Sequence, residues 1–344
     1  MANDSISRDD LRRAVSAGVI DQPSAERLAA FLAATPGALA VDSEDEQLRL
    51  VTGFGDIFVA IGLVLFLGAL VFMTNGDGWL LPSLAVAVSS WVLAELFTRL
   101  RRQALPSILL LLAFAAAVFT AVNSVFSGSG SAAALASGGL ATGVAVGLHW
   151  WRFQVPVTIA AACAAATAVL LGALQSVFPD VAISFNGLIF LVIGLAIFAL
   201  AMTFDTSDRE RRTRRTDIAF WLHALAAPMI VHPVMQNIIT GETPGTFEAA
   251  LTLVIFLALS LVALTVDRRA MLVSSLLYLG YAIYSVLESG DALPSTSMVV
   301  LLVGAVVLAM SFAWRPLRAA LLRVLPATIS ERVPPAHLSP FKAS

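Results

Sequence analysis

The chain has 344 residues, of which 58% are hydrophobic and only 13% charged. Soluble globular domains carry about 25% charged residues, so this composition, with a mean hydropathy of +0.87, sets aside the soluble classes and points to the membrane. The formal net charge of −2 selects no partner, and the absence of a folded basic domain argues against nucleic acid.

Cys163 is the single cysteine, which rules out an intramolecular disulfide and a CxxC metal or redox site. Lys342 is the single lysine; arginine in its place, with abundant Ala and Leu, is the usage of a GC-rich bacterial genome.

Residues 1–50 read as a cytosolic helical hairpin with an acidic linker. The polar start, with Asp4, Arg8, Asp9 and Asp10, lacks the apolar region of a cleaved signal peptide. Ser7 is an N-cap ahead of acids that suit the positive end of a helix dipole. Leu11, Val15 and Val19 give apolar spacing, and Gly18 is the expected stop. Asp21 caps a second helix with Pro23 in its first turn. Ala25, Leu28, Ala29 and Leu32 line its apolar face. So small a hairpin needs a partner: a second copy, the membrane domain, or a cytosolic protein docking on residues 1–35. Pro36-Gly37 ends the pattern, and the stretch from Asp42 to Glu46 is a solvated linker.

Ten apolar segments follow, over residues 54–74, 79–98, 105–126, 131–151, 154–175, 184–204, 217–240, 247–266, 270–288 and 294–314. Each is long enough to cross about 30 Å of hydrocarbon. All 21 Lys and Arg residues fall at the termini or in alternate gaps. Arg99, Arg101 and Arg102 fill the second gap, Arg152 the fourth, and Arg268 and Arg269 the eighth. The sixth gap carries Arg209, Arg211, Arg212, Arg214 and Arg215. Cytoplasmic loops collect Lys and Arg, so the expected architecture is an all-α polytopic bundle of ten spans over residues 51–314, with both termini cytoplasmic. Trp150 and Trp151, beside Arg152, fit an interfacial aromatic belt, and His149 to Arg152 reads as the turn between spans four and five. The expected location is a bacterial inner membrane. After Trp314, Arg315-Pro316 opens an amphipathic segment suited to the inner leaflet, and residues 315–344 end in a disordered tail.

Three features stand out within the spans. Gly139, Gly143 and Gly147 form a small-residue stripe that permits close helix packing, within one subunit or between two. The arginines from Arg209 to Arg215 serve as a topology anchor or as a site for anionic lipid. Span seven combines His223, Pro228, His232, Pro233, Gln236 and Asn237. Its prolines deprive the carbonyls of Ala224 and Met229 of helical donors, and a broken membrane helix is one way to build a mid-membrane site. His232 and Gln236 share a face, whereas His223 lies half a turn out of phase on a straight helix. Intramembrane histidines are functional candidates; the blander reading is that each donates one hydrogen bond to a neighbour. A fixed-offset match of Gly55–Phe72 with Gly187–Phe204 has the pattern of an inverted repeat. A competing register, aligning Arg101-Arg102 with Arg268-Arg269, gives a parallel one.

No HExxH, GxSxG, Walker or GxGxxG motif is placed to act, so no enzyme, cofactor or metal is expected. Two segments carry a resemblance. One is Leu11…Ala17-Gly18-Val19-Ile20…Ala25-Glu26-Arg27-Leu28. The other runs from Thr213 through Trp221-Leu222-His223 and Ala226-Ala227-Pro228 to His232-Pro233. Together they resemble a family of bacterial polytopic inner-membrane proteins of unknown function with a short N-terminal cytosolic hairpin. The resemblance implies that architecture and no activity. The leading functional expectation is a secondary transporter or permease for a small solute, with His223, His232, Gln236 and Asn237 as its solute or proton site. The alternative is a non-transporting scaffold or sensor acting through the hairpin.

Overall fold

An apolar segment in hydrocarbon must satisfy every backbone N–H and C=O internally, and a helix does so. The computed structural model is accordingly helical, with no strand among the described residues. These are residues 14–34, 54–208, 213–238, 246–269 and 296–326, less 75, 77, 127 and 129, with isolated positions at 11, 272, 276, 279, 280, 283, 284 and 333. The chain divides into two units, Met1–Gln47 and Leu48–Ser344.

In the first unit, Gly18 takes a left-handed φ of +69°, and Val19 N–H reaches back to the carbonyl of Ala14 at 2.9 Å. This closes the first helix at Gly18, as expected of a glycine stop. Helix α1 (Gln22–Ala34) follows Asp21 directly. Leu11 and Ala25 are buried, while Leu28 is exposed. The side chains of Ala29 and Leu32, and the linker around Asp42, lie outside the described residues.

The second unit contains α2 (Phe54–Thr74), α3 (Leu80–Ala94), α4 (Ala104–Phe126), α5 (Ser131–Phe153), α6 (Val157–Val177), a short α7 (Pro179–Ser184), α8 (Asn186–Ser207), α9 (Arg214–Ile238), α10 (Thr246–Val266) and α11 (Thr296–Val324). A π-helical turn, Glu95–Leu100, extends α3. Eight of these helices are long and apolar enough to cross a membrane, and Ala250–Val266 is a shorter apolar helix. They fit an integral, multi-pass membrane protein. Span nine of the sequence reading falls largely outside the described residues.

Two expected breaks are absent. The turn between spans four and five is not His149 to Arg152, which belong to α5. It is Gln154, in the left-handed region at φ 54°, followed by Val155 and Pro156. Helix α11 runs through Pro316 to Val324 without interruption, so the segment begun by Arg315-Pro316 is a continuation rather than a separate helix. Trp314 and Arg318, on either side of the proline, are both held by Asp267.

The apolar interior is a relay rather than one core. Leu63, Val86 and Leu110 join α2, α3 and α4. Leu111, Val146 and Val157 join α4, α5 and α6. Ala160, Ile197 and Leu222 join α6, α8 and α9. Ala227, Ala263 and Trp314 join α9, α10 and α11. Outward-facing Phe58, Leu65, Leu308 and Phe312 stay exposed, as lipid-facing side chains do.

Close packing falls on only part of the expected glycine stripe. A Cβ at Gly139 would lie 2.8 Å from the Ala165 carbonyl oxygen, one at Gly143 would meet only Ala165 Cβ at 3.9 Å, and one at Gly147 would meet nothing. The tightest counterpart is Gly172 of α6, where a Cβ would stand 2.5 Å from Ala136 N. The α5–α6 contact therefore lies within one chain. The repeat of spans one and six does not extend to packing: Gly194 abuts Met229 and Ile230, while Gly62 faces open space.

Overpacking costs roughly 1–3 kcal/mol, more than the gain in helix propensity of Gly→Ala, about 0.5–1 kcal/mol. Gly172→Ala should therefore lower the thermal unfolding temperature of the detergent-purified protein. Gly147→Ala should leave it unchanged or raise it slightly; equal losses in both would refute this account of the α5–α6 contact.

Candidate functional site

Polar side chains gather at the helix ends that meet the arginine-bearing gaps. Asp56 of α2 is buried and accepts a hydrogen bond from Gln103 Nε2 at 2.8 Å. Glu95 takes both Nε and Nη2 of Arg152, at 2.8 and 2.9 Å, besides a one-turn pair with Arg99 at 3.4 Å. Arg214 donates to Gln154 Oε1 at 2.8 Å. Asp208 accepts from the backbone and hydroxyl of Thr213 and from the Thr216 hydroxyl.

Within this ring lies a cluster withdrawn from solvent. Asp205, in the last turn of α8, is 4% exposed, while His223 of α9 and Arg268 of the loop after α10 are 0% exposed. His223 Nε2 stands 2.8 Å from Asp205 Oδ2. Arg268 grips the same carboxylate from another side, Nη2 to Oδ1 at 2.5 Å and Nε to Oδ2 at 3.4 Å. Its Nη2 also donates to the Thr216 carbonyl at 3.1 Å. An ionised carboxylate only accepts, so Nε2 of His223 carries the shared proton. Among the described residues the far side of each group is unmet: His223 Nδ1 and Arg268 Nη1 are buried and meet no hydrogen-bond partner there.

Helix geometry brings these groups together. Side chains on a helix lean toward its N-terminus, so His223 leans back toward the end where Asp205 and Arg268 lie. The loop is held by its own backbone. Asp267 takes a left-handed φ of 60°, and Arg268 N–H bonds to the Ala263 carbonyl at 2.9 Å. This is a Schellman closure with aspartate where glycine is usual. The Asp267 carboxylate accepts from Trp314 Nε1 at 2.8 Å and lies 3.5 Å from Arg318 Nε. The Arg269 guanidinium sits 5.3 Å from the Trp314 ring centroid. Three consecutive residues thus reach three different sockets.

The expected site is divided. His223 belongs to the buried cluster, but His232 and Gln236 lie on an exposed face, nine and thirteen residues further along. The side chain of Asn237 lies outside the described residues. Helix α9 runs through Pro228 and Pro233 without a break, so the prolines do not interrupt span seven. Each removes a single donor and the helix continues around the gap, which keeps His223 and His232 on opposite sides. Arg214 and Arg215 are exposed; Arg209, Arg211 and Arg212 lie outside the described residues.

Asp205 and Arg268 were not marked as site residues by the sequence. Asp205 looks like the first polar residue after an apolar run, and Arg268 like half of a topology anchor. The available signal was a charged residue at a span end level with an intramembrane histidine. His149 is likewise buried, within 3.5 Å of Thr158 Oγ1 and packed on Trp91, Phe114 and Phe153. No group of three metal-ligating His, Cys, Asp or Glu occurs among the described residues. Comparison with known protein families, with curated proteins and with solved structures finds no match.

Removing one member of a buried ion pair costs about 3–5 kcal/mol, because its partner stays charged and uncompensated. A partly exposed pair is worth about 0–1 kcal/mol. Asp205→Ala should therefore lower the unfolding temperature sharply in detergent, and Glu95→Ala little. Restoration of most of the lost stability by Arg268→Met in the Asp205→Ala background would identify the unpaired guanidinium as the source.

Proposed function

We propose that this chain is a ten-span protein of a bacterial inner membrane, with both termini in the cytoplasm, and that it carries a small solute in step with a proton held at His223. The topology rests on the placement of Lys and Arg, and the gathering of polar contacts at the arginine-bearing helix ends agrees with it. The family of N-terminal-hairpin membrane proteins that the sequence resembles has the same plan.

One observation carries the functional reading: the Asp205–His223–Arg268 cluster is buried among membrane-spanning helices. Burying three ionisable groups costs several kcal/mol per ion before pairing is counted. A helix contact needing only adhesion is met by apolar side chains. Histidine is the residue whose ordinary titration range spans physiological pH, and intramembrane ionisable groups mark proton and substrate paths. The cluster replaces the span-seven constellation as the centre of the site: His223 remains, and Asp205 and Arg268 join it. The exposed face of His232 and Gln236 is given no part in proton binding, and no catalytic step or cofactor is assigned.

A second reading draws on the separate N-terminal unit. There the protein is a scaffold or sensor that recruits a second copy or a cytosolic partner through residues 1–35, while the spans anchor it.

Proteoliposomes enclosing a pH-sensitive dye separate the two. Under an inward proton gradient, small carboxylates, amino acids and sugars are added in turn. The carrier reading expects at least one class to accelerate proton entry through wild type, and His223→Gln to lose the acceleration. Solute-driven proton entry that persists in His223→Gln, or its absence with every class in wild type, would sink the carrier and favour the scaffold.

A further inference from the structure

The two unmet atoms define what the cluster lacks. When His223 is neutral, Nε2–H donates to Asp205 and Nδ1 offers a lone pair, while Arg268 Nη1 still has N–H groups to give. The cluster then pairs one carboxylate with one guanidinium and is neutral overall. One acceptor and one donor remain, a combination that water satisfies. When His223 is protonated, Nδ1 becomes a donor too. The cluster now carries a net positive charge, and both of its unmet atoms are donors.

Among the described residues neither unmet atom meets an acceptor, and the further carboxylate in electrostatic contact with the cluster, Asp217, acts on Arg268 and is shared with Arg214. From α8 come Asp205 and the Phe198 ring, 5.2 Å from His223. From the loop after α10 comes Arg268. From α9 itself come the Thr216 carbonyl, engaged by Arg268, and Asp217, whose electrostatic contact is with Arg268, Arg214 and Asp208. Helix α11 meets the loop at Asp267 and Arg269 and leaves Arg268 to the cluster. A charged donor without an acceptor in so dry a place is costly.

We infer that the cluster is a proton-dependent site for a small monovalent anion, held at Arg268 Nη1 and admitted when His223 is protonated. This rests on the proposed proton-carrying role of His223 and names the solute class for it. Proton and anion cancel in charge, so the loaded and empty sites carry the same net charge, and the pair moves without adding charge to the membrane interior. The occupant is small, because both side chains are fully buried. The same burial shuts out a phosphate that remains attached to a lipid.

The test is proton uptake by the full-length detergent-purified chain in weak buffer, from about pH 5 to 8, the range in which histidine ordinarily titrates. Sodium formate or sodium chloride is added, with sodium gluconate at equal ionic strength as the bulky control. Linkage requires an anion that prefers the protonated form to draw protons in. Wild type should take up protons with formate or chloride, approaching one per chain, and none with gluconate. His223→Gln should take up none, and Arg268→Lys should lose most of the uptake. Spectra of [15N]histidine-labelled wild type report His223 protonation independently. If His223 gains a proton across this range but neither formate nor chloride drives uptake, the anion site is overturned and the proton-carrying role stands. A neutral His223 throughout overturns both. Because the deciding comparisons use wild type, a variant that fails to fold does not blunt them.

Discussion

A guanidinium removed entirely from water must bring its counter-ion with it, and Asp205 is the counter-ion of Arg268. Coulomb attraction strengthens as the surrounding dielectric falls, and so does the penalty for any group left unpaired. The pair is therefore a fixed point. Asp205 belongs to α8, Thr216 and His223 to α9, and Arg268 to the loop leaving α10. Three helices are set against one another by hydrogen bonds that allow little sliding. The Glu95–Arg152 pair joins α5 to the π-helical turn with similar geometry but partly in contact with solvent, where screening reduces its worth. The two halves of the bundle are tied by comparable chemistry with unequal force.

Around that fixed point the packing is diffuse. Each apolar cluster joins only a few helices, and successive clusters share them. Lipid is as apolar as leucine, so helix association in a membrane draws on close contact and polar bonds rather than on escape from water. Gly139 and Gly172 supply close contact between α5 and α6, and Gly194 does so between α8 and α9. The buried cluster supplies the polar bonds where α9 and α10 meet only lightly. Close backbone approach dominates in one region, and charge in the other.

Local features were readable in the sequence and long-range ones were not. Apolar runs gave the positions of the described spanning helices to within a few residues, because hydropathy and helix length are properties of a continuous segment; the exception is α11, which continues to Val324, well past the expected end at residue 314. The half-turn offset between His223 and His232 followed from a rotation of about 100° per residue, and their opposite burial agrees with it. The prolines were over-read: their missing donors are certain from chemistry, but whether a helix yields depends on its neighbours. The partners of His223 could not be read at all, since Asp205 lies 18 residues before it on another helix and Arg268 lies 63 residues from Asp205. The charge-sidedness rule that marks Arg268 as cytoplasmic accounts for it so fully that it hides a second role. Likewise Trp314, which in the sequence only closes the last span, is buried and donates to Asp267.

The loop of Asp267, Arg268 and Arg269 has a consequence for how this protein can vary. Connecting loops usually absorb insertions and deletions, because their side chains face water. Here each successive residue fills a different socket: Asp267 the indole N–H of Trp314, Arg268 the Asp205 carboxylate, Arg269 the face of the Trp314 ring. Adding or removing one residue would shift every side chain by one place, offering an aspartate to a carboxylate or an arginine to the indole N–H. Among descendants of this sequence the connection should hold its length more strictly than the helices around it hold their composition. Drift in length would fall to the loops at the other end of the bundle.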